Sequence, residues 1–211
     1  MHSSNTPTET QIQEINRIQR DFFSRLIHVF DPPLPEGVPD RLKRIVAVAD
    51  IRPRDTVLDV GAGTGILIPL LKMYRPKEIY ACDLSQEMLN HLKNLYPDVH
   101  IITGDIRDVG LPKDCINVVF MNACYPNIVD KHGSLSNIVR MMRVDGRLVI
   151  SHPMGKAFID ILKKRSPFPL DDFPGKNDVK RLFGPFGLRM KTFIDEPELY
   201  ILLLVKEALS G

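Results

Sequence analysis

Short apolar runs alternate with amphipathic stretches along most of the chain, from Asp55 onward. The apolar runs predict strands near 56–60, 78–82, 99–102, 116–121 and 146–151. The intervening stretches predict helices near 65–74, 85–95, 134–143 and 155–164. Strands that are apolar on both faces and alternate with helices are typical of a parallel sheet with helices on both sides. The pattern therefore predicts an α/β fold built on a doubly wound sheet.

The last two apolar runs, near 188–194 and 198–206, follow a different rule. Only Asp195-Glu196-Pro197 separates them, which is too short for a crossover helix. They are expected to form an antiparallel hairpin. The whole pattern thus predicts a mostly parallel sheet of about seven strands that ends in an antiparallel hairpin.

The residues before this pattern predict a small N-terminal cap. The first twelve or so are polar, Thr8-x-x-Gln11 fits a capping box, and apolar residues then recur at helical spacing to about Phe30. Prolines make 31–39 a stiff connector, and Asp40 is the expected cap of a second helix over 41–49. We therefore divide the chain into 1–39, a tail, helix and Pro-rich connector, and 40–211, the main domain.

Composition narrows the class of protein. The chain has 211 residues, 44% of them hydrophobic and 26% charged, which is enough for one well-packed domain. No apolar run reaches the 18 or so residues that span a membrane. A net charge of +2 gives no strong nucleic-acid signal and favours a small-molecule ligand. Three scattered cysteines suggest neither a disulfide framework nor a zinc site, and the first ten residues lack a targeting pattern, so we expect a cytoplasmic protein.

The strongest motif is a predicted strand that runs into three alternating glycines. It reads Val57-Leu58-Asp59-Val60-Gly61-Ala62-Gly63-Thr64-Gly65 and leads into a predicted helix. Glycines let a ligand approach the backbone closely, and a helix N-terminus offers free N–H groups. The spacing is G-x-G-x-G, whereas dinucleotide-binding loops read G-x-G-x-x-G. The phosphate loop G-x-x-x-x-G-K-[S/T] and the tyrosine-x-x-x-lysine pair of short-chain dehydrogenases are absent from the sequence.

This segment resembles the first motif of the class I S-adenosylmethionine-dependent methyltransferases, and the likeness extends over about residues 40–206. The resemblance implies a Rossmann-like fold and S-adenosyl-L-methionine as the cofactor. It places the cofactor against the glycine loop, formed by Gly61, Ala62, Gly63, Thr64 and Gly65. It also implies that Asp59 bonds to this loop and to the methionyl end of the cofactor, although Asp59 could equally just organise the loop.

Two further acidic positions follow the next predicted strands. Asp83, with Leu84 after it, lies 18 residues beyond Gly65, where a carboxylate can accept hydrogen bonds from both ribose hydroxyls. The alternative role for Asp83 is to cap the following helix. The resemblance places Gly104 and Asp105 by the adenine amino group and Ile106 against the ring, with a turn or capping role for Asp105 as the alternative.

Two places remain for the methyl acceptor. Asn122 and Tyr125 match the Asn/Asp-Pro-Pro-Tyr/Phe motif of methyltransferases that act on amino groups, but Ala123 and Cys124 replace both prolines. Asn122 also lies beside the expected cofactor. His152 ends the fifth predicted strand, where imidazole could act as a general base or orient the acceptor, or could simply satisfy local carbonyls.

The predicted function is therefore methyl transfer to a small-molecule acceptor by direct in-line displacement. The Pro- and aromatic-rich segment 166–175 is either a wall of the acceptor pocket or an ordinary surface loop. Three alternatives stay open: a protein that binds the cofactor without turnover, an N-methyltransferase of nucleobases or amides, and a nicotinamide oxidoreductase. No metal site is expected, because the six histidines do not cluster at ligand spacing. The sequence leaves the oligomeric state open.

Overall fold

A computed structural model describes residues 7–30 and 33–208, apart from the side chain of Phe30. Its centre is a seven-stranded sheet with the order β3-β2-β1-β4-β5-β7-β6. The strands are β1 Thr56–Val60, β2 Glu78–Asp83, β3 His100–Thr103, β4 Ile116–Asn122, β5 Met142–His152, β6 Leu188–Glu196 and β7 Leu199–Lys206. The first five are parallel, and β7 pairs antiparallel with both β5 and β6. The predicted fold class is confirmed.

Helices cover the sheet. They are α1 Glu9–Ser24, α2 Ile27–Phe30, α3 Val38–Ala47, α4 Ile68–Met73, α5 Gln86–Leu95, α6 Lys131–Met141, α7 Phe158–Lys163 and α8 Val179–Phe183. Short 3-10 turns occupy Ile106–Asp108, Tyr125–Asn127, Lys176–Asp178 and Gly184–Phe186. In the parts of the chain that the structure describes, no helix is long and apolar enough to cross a membrane.

Two apolar layers form the core, one on each face of the sheet. Successive residues of a strand point to opposite faces, so Val57 packs in one layer and Leu58 in the other. The layer of Val57 includes residues of α3, α4 and α5, and the layer of Leu58 includes residues of α6, α7 and α8. Because both faces are covered, the central strands carry the continuous apolar runs seen in the sequence.

Several predicted boundaries were wrong for identifiable reasons. The helix after the glycine loop begins at Ile68, because the residues from Gly63 to Leu67 form turns. The second N-terminal helix begins at Val38 rather than after Asp40. Gly37 precedes it with a positive φ of 75°, and Pro39 fits the first turn, where no N–H is needed.

The hairpin and the N-terminal helix also differ in detail. Pro197 and Glu198 form the hairpin turn, whereas Asp195 and Glu196 belong to β6. The capping box of Thr8 and Gln11 is present as predicted, but α1 ends at Ser24 and the short helix α2 follows it. The short helix α8 was not predicted. Residues 1–6 of the predicted tail and residues 31 and 32 of the predicted connector lie outside the described residues.

Helices α1 and α3 have different surroundings. Helix α3 contributes Leu42, Ile45 and Val46 to the apolar layer that also holds α4 and α5. Helix α1 buries only Ile12 and Gln19 fully, and it lies against α5 and the loops at the carboxyl ends of the strands. The predicted division of the chain at residues 39 and 40 stays a prediction.

Candidate functional site

The residues predicted to hold the cofactor lie at one edge of the sheet. The loop Gly61–Gly65 follows β1, Asp83 ends β2, and Gly104 and Asp105 follow β3. These three strands are neighbours and parallel, so their carboxyl ends meet. In open parallel sheets this edge is where ligands bind. The structure therefore brings together side chains that are more than 40 positions apart in the sequence.

The glycine loop turns sharply against the end of β4. Gly61 has φ 67°, and a Cβ there would lie 2.6 Å from Cβ of Cys124. Gly63 has φ 53°, and its Cβ would meet only the sulfur of Met88, at 3.4 Å. The backbone N–H groups of Gly61 and Ala62 both donate to the carbonyl of Cys82, at 2.8 and 3.1 Å. Gly61 is exposed, so the loop presents bare backbone to a ligand.

Backbone amides orient the carboxylate of Asp83. Its Oδ2 accepts the N–H of Gly63 at 2.9 Å, and its Oδ1 accepts the N–H of Ser85 at 2.9 Å. The hydroxyl of Ser85, not Asp83, caps helix α5 through the N–H of Met88. Burial raises the pKa of Asp83, and the donated backbone N–H groups oppose that rise. Each oxygen keeps a second lone pair, so the carboxylate can accept further donors.

Asp59 lies inside the same corner with a buried, unpaired oxygen. Its Oδ2 has no hydrogen-bond partner among the described residues, and the side chain is almost fully buried. Burial, together with the nearby charge of Asp83, raises the pKa of Asp59 to about 8. The N–H donors of the glycine loop described above go to Cys82 and Asp83 rather than to Asp59. An unpaired buried carboxyl beside bare backbone suits a ligand that brings donors and positive charge, which fits S-adenosylmethionine.

Asp105 is shared between its own turn and helix α1. Its Oδ1 accepts the N–H of Arg107 at 2.9 Å, which confirms the capping role. Its Oδ2 accepts a hydrogen bond from Nδ2 of Asn16 at 2.7 Å. Gly104 has φ 145° with open space where a Cβ would stand, and Ile106 is buried. Sequence reasoning missed Asn16, although its spacing of four from Ile12 places both on one face of α1.

The segment after β4 does not have the backbone of the Asn-Pro-Pro-Tyr motif. Oδ1 of Asn122 accepts the hydroxyl of Ser151 at 3.0 Å, and the N–H of Ala123 donates to the carbonyl of Ser151 at 2.7 Å. Ala123 has φ 55°. Proline is confined to φ near −65° and has no N–H, so it could not replace Ala123 here. This geometry argues against the N-methyltransferase alternative.

Tyr125 and His152 both pack against one aromatic ring. The ring of Phe173 lies 6.2 Å from that of Tyr125 and 5.8 Å from that of His152, measured between centroids. Phe173 belongs to the segment 166–175, so this segment reaches the end of the sheet. It is anchored there by the N–H of Asp171, which donates to the carbonyl of Pro126 at 3.0 Å.

His152 is buried and bonds to its own turn through Nδ1. Its Nδ1 accepts the N–H of Met154 at 3.0 Å, which leaves the ring proton on Nε2. Burial lowers the pKa of His152 to about 4, so the ring is uncharged at neutral pH. Phe158 and Phe173 pack against the ring. His152 thus makes a local contact, and its Nε2–H is left to orient an acceptor; its part in catalysis stays a prediction.

Two surface cavities lie at the other end of the sheet. Their volumes are about 400 and 350 Å³, and residues such as Thr56, Glu78 and Asp55 line them. None of the predicted site residues contributes to either cavity. Within the described residues, no group of three or more His, Cys, Asp or Glu side chains could hold a metal ion.

Comparison with known proteins agrees with this geometry. Residues 58–150 match the family described as "Methyltransferase domain". An uncharacterized methyltransferase of Schizosaccharomyces pombe is 30% identical over 145 residues, which are 65% of this chain and 57% of that protein. The demethylmenaquinone methyltransferase of Paenarthrobacter aurescens is 31% identical over 60% of this chain and 51% of its own length. The chain thus spans about half the length of these curated relatives.

A solved structure shows the same fold. The methyltransferase described as putative, in complex with the Haloferax volcanii Trm112 methyltransferase activator, superposes with a TM-score of 0.74 at 16% identity. The superposition covers 88% of this chain and 98% of that one. Residues 58–150 thus match a methyltransferase family, and the chain has the fold of a class I S-adenosylmethionine-dependent methyltransferase. The predicted family and its cofactor, S-adenosyl-L-methionine, are confirmed.

Proposed function

We propose that the protein transfers a methyl group from S-adenosylmethionine to a small, uncharged acceptor. The observation that carries this proposal is the corner formed by the glycine loop, Asp59 and Asp83. Bare backbone, an oriented carboxylate and a buried unpaired carboxyl meet there, at the carboxyl edge of a parallel sheet.

Each part of the corner has a role in holding the cofactor. Gly61, Ala62, Gly63, Thr64 and Gly65 form the surface on which it lies. Asp83 accepts hydrogen bonds from the ribose hydroxyls and Leu84 flanks the ribose, while Asp105 and Ile106 face the adenine after Gly104. Asp59 faces the cationic methionyl end. The cofactor supplies an activated methyl group, so the chain needs to position the acceptor and exclude water rather than provide covalent catalysis.

The acceptor side supports a small, uncharged molecule. Helix α1 and the segment 166–175 both close over the carboxyl edge, and aromatic side chains line it. The candidate acceptor residues there, Asn122, Tyr125 and His152, carry an amide, a hydroxyl and an imidazole that is neutral at neutral pH, none of which is charged. One relative is, by its name, a methyltransferase of demethylmenaquinone, which is a small molecule.

Calorimetric titration tests the cofactor half of the proposal. S-adenosylmethionine and S-adenosylhomocysteine are both expected to bind with micromolar affinity, and NADH is expected not to bind. Asp83→Ala removes an acceptor of two charge-assisted hydrogen bonds and should weaken binding at least tenfold. Unchanged binding by folded Asp83→Ala would contradict the assigned site. Tight NADH binding would instead favour the oxidoreductase alternative.

Transfer of a labelled methyl group tests the acceptor half. The protein is incubated with S-adenosylmethionine labelled in the methyl group and a cell extract, which is then separated by ultrafiltration. Cation exchange then removes the unreacted, positively charged S-adenosylmethionine from the low-molecular-weight fraction, and label that remains in this fraction, lost in Asp83→Ala, is the expected result. Label retained with protein or nucleic acid would refute the small-molecule acceptor. Cofactor binding without any label transfer would favour the alternative of a binding protein without turnover.

A further inference from the structure

Helix α1 presents polar side chains to the cofactor site. Asn16 donates to Oδ2 of Asp105 at 2.7 Å, Gln19 donates to the carbonyl of Asn127 at 2.8 Å, and the hydroxyl of Ser24 lies 2.7 Å from that of Ser85. The three partners belong to the loops after β3, after β4 and after β2. An amphipathic helix usually buries apolar residues, so polar groups on its inner face call for a specific explanation.

The helix is held firmly in this position. Glu9, in the first turn, forms two hydrogen bonds with the guanidinium of Arg107, at 2.8 and 2.9 Å. Gln19 is only 3% exposed, and Ile12 packs beside it on the same face. A paired Arg and carboxylate fix orientation as well as distance. Asn16 therefore lies at a defined place relative to Asp105.

The bonding of Asn16 determines which of its atoms remains available. A carboxylate accepts hydrogen bonds only, so the amide nitrogen must face Asp105 and the carbonyl Oδ1 must face away from it. Oδ1 has no hydrogen-bond partner among the described residues. Both Asn16 and Asp105 are only partly buried, so a ligand can reach them.

We infer that Asn16 completes the adenine-binding edge of the site from outside the methyltransferase domain. This inference rests on the proposed function, which places the adenine amino group at Asp105. Asn16 Oδ1 and the Asp105 carboxylate together present acceptors to that amino group. A base that carries a carbonyl in place of the amino group meets an oxygen there and is rejected. The N-terminal helix thereby takes part in cofactor specificity and not only in covering the site.

The test compares two ligands that differ at this one group. S-adenosylhomocysteine and its deaminated analogue S-inosylhomocysteine are titrated into the wild type, Asn16→Ala, Asn16→Asp and Gln13→Ala. Gln13 is an exposed amide three residues away whose side chain bonds, among the described residues, to Glu9 alone, so its variant controls for changes in the helix. Thermal unfolding of each variant without ligand confirms that the protein is folded.

Asn16→Ala should bind S-adenosylhomocysteine about tenfold more weakly and bind the deaminated analogue almost unchanged. Asn16→Asp places a second carboxylate against Asp105 and should also lose affinity, whereas Gln13→Ala should match the wild type. Equal weakening of both ligands, or no weakening, would overturn the inference. Failure of the wild type to bind either ligand would instead refute the proposed function, and with it this inference.

Discussion

At the residue scale, Gly61 of the loop is required for two separate reasons and Gly63 for one. Gly61 has a positive φ, and a Cβ there would come within 2.6 Å of Cβ of Cys124. Gly63 has a positive φ as well, but a Cβ there would make only ordinary contact with Met88. The left-handed region costs an L-residue about 1–2 kcal/mol. A clash between two Cβ atoms adds to this cost, because neither can move without its backbone.

We therefore predict that Gly61→Ala destabilises the protein by about 3 kcal/mol and Gly63→Ala by about 1 kcal/mol. Urea unfolding without cofactor measures both, and Gly63→Ala serves as the matched control for the φ cost. Equal losses in the two variants would show that the end of β4 yields to a Cβ at position 61, contrary to the prediction.

The role of these glycines was predictable from the sequence, because a positive φ and a close backbone approach both favour glycine at a fixed position in the motif. It could not predict Ala123 at φ 55° or the unpaired oxygen of Asp59. The identity of a residue does not show whether its neighbours in the fold form hydrogen bonds with it. The protonation of His152 was unreadable for the same reason, since the contact between Nδ1 and the N–H of Met154 sets its tautomer.

At the element scale, the segment 166–175 was predicted as either a wall of the acceptor pocket or a surface loop, and its contacts show how it is anchored. Phe168 is buried against Phe22 and Phe23 of α1, and Phe173 packs on Tyr200 of β7. The hydroxyl of Tyr200 donates to the carbonyl of Pro174 at 2.9 Å. The segment thus packs against both α1 and β7 and joins the helix to the sheet. The regular spacing that identifies helices and strands does not reveal such a segment, because prolines determine its backbone path and its contacts come from single, irregularly spaced residues.

We predict that Tyr200→Phe weakens the anchoring of the segment 166–175. The change leaves the buried carbonyl of Pro174 without a donor and should cost about 1–2 kcal/mol. Hydrogen exchange should rise in the peptide that holds 166–175 and stay constant in the central strands. Tyr80→Phe is the control, because Tyr80 is only half-buried and bonds at 3.3 Å to Glu78, so its variant should lose under 1 kcal/mol. Unchanged exchange across 166–175 in Tyr200→Phe would count against the anchoring role.

At the scale of the whole molecule, the mostly parallel sheet with its terminal antiparallel hairpin was predictable from the sequence, whereas the position of α1 was not. Alternating strands and helices permit few topologies, so a pattern of apolar runs is enough to identify the sheet. Helix α1 instead meets the sheet through single hydrogen bonds from Asn16, Gln19 and Ser24. Polar residues of this kind are typical of exposed helix faces, so their pattern does not predict an inward position.

Two buried groups at the carboxyl edge control stability in opposite pH directions. The pKa of Asp59 rises from 3.8 to about 8 on folding, so the folded protein holds that proton and stability falls as pH rises from about 4 to 8. The pKa of His152 falls from 6.5 to about 4, so the unfolded chain binds that proton and stability falls as pH drops from 6.5 to 4. The two slopes oppose each other below pH 6.5, and above it only the slope of Asp59 remains.

Each group can be removed by a near-isosteric change, which isolates the other. Relative to the wild type, Asp59→Asn should gain stability as pH rises, by on the order of 2 kcal/mol between pH 6.5 and 8. His152→Asn keeps an acceptor for the N–H of Met154, and relative to the wild type it should gain stability as pH drops from 6.5 to 4. Urea unfolding at several pH values gives these differences, in which titrating groups that do not interact with the substituted side chain cancel. The double variant should show the sum, since no contact joins the two side chains among the described residues. A constant difference across pH for either single variant would show that its group does not change its pKa on folding.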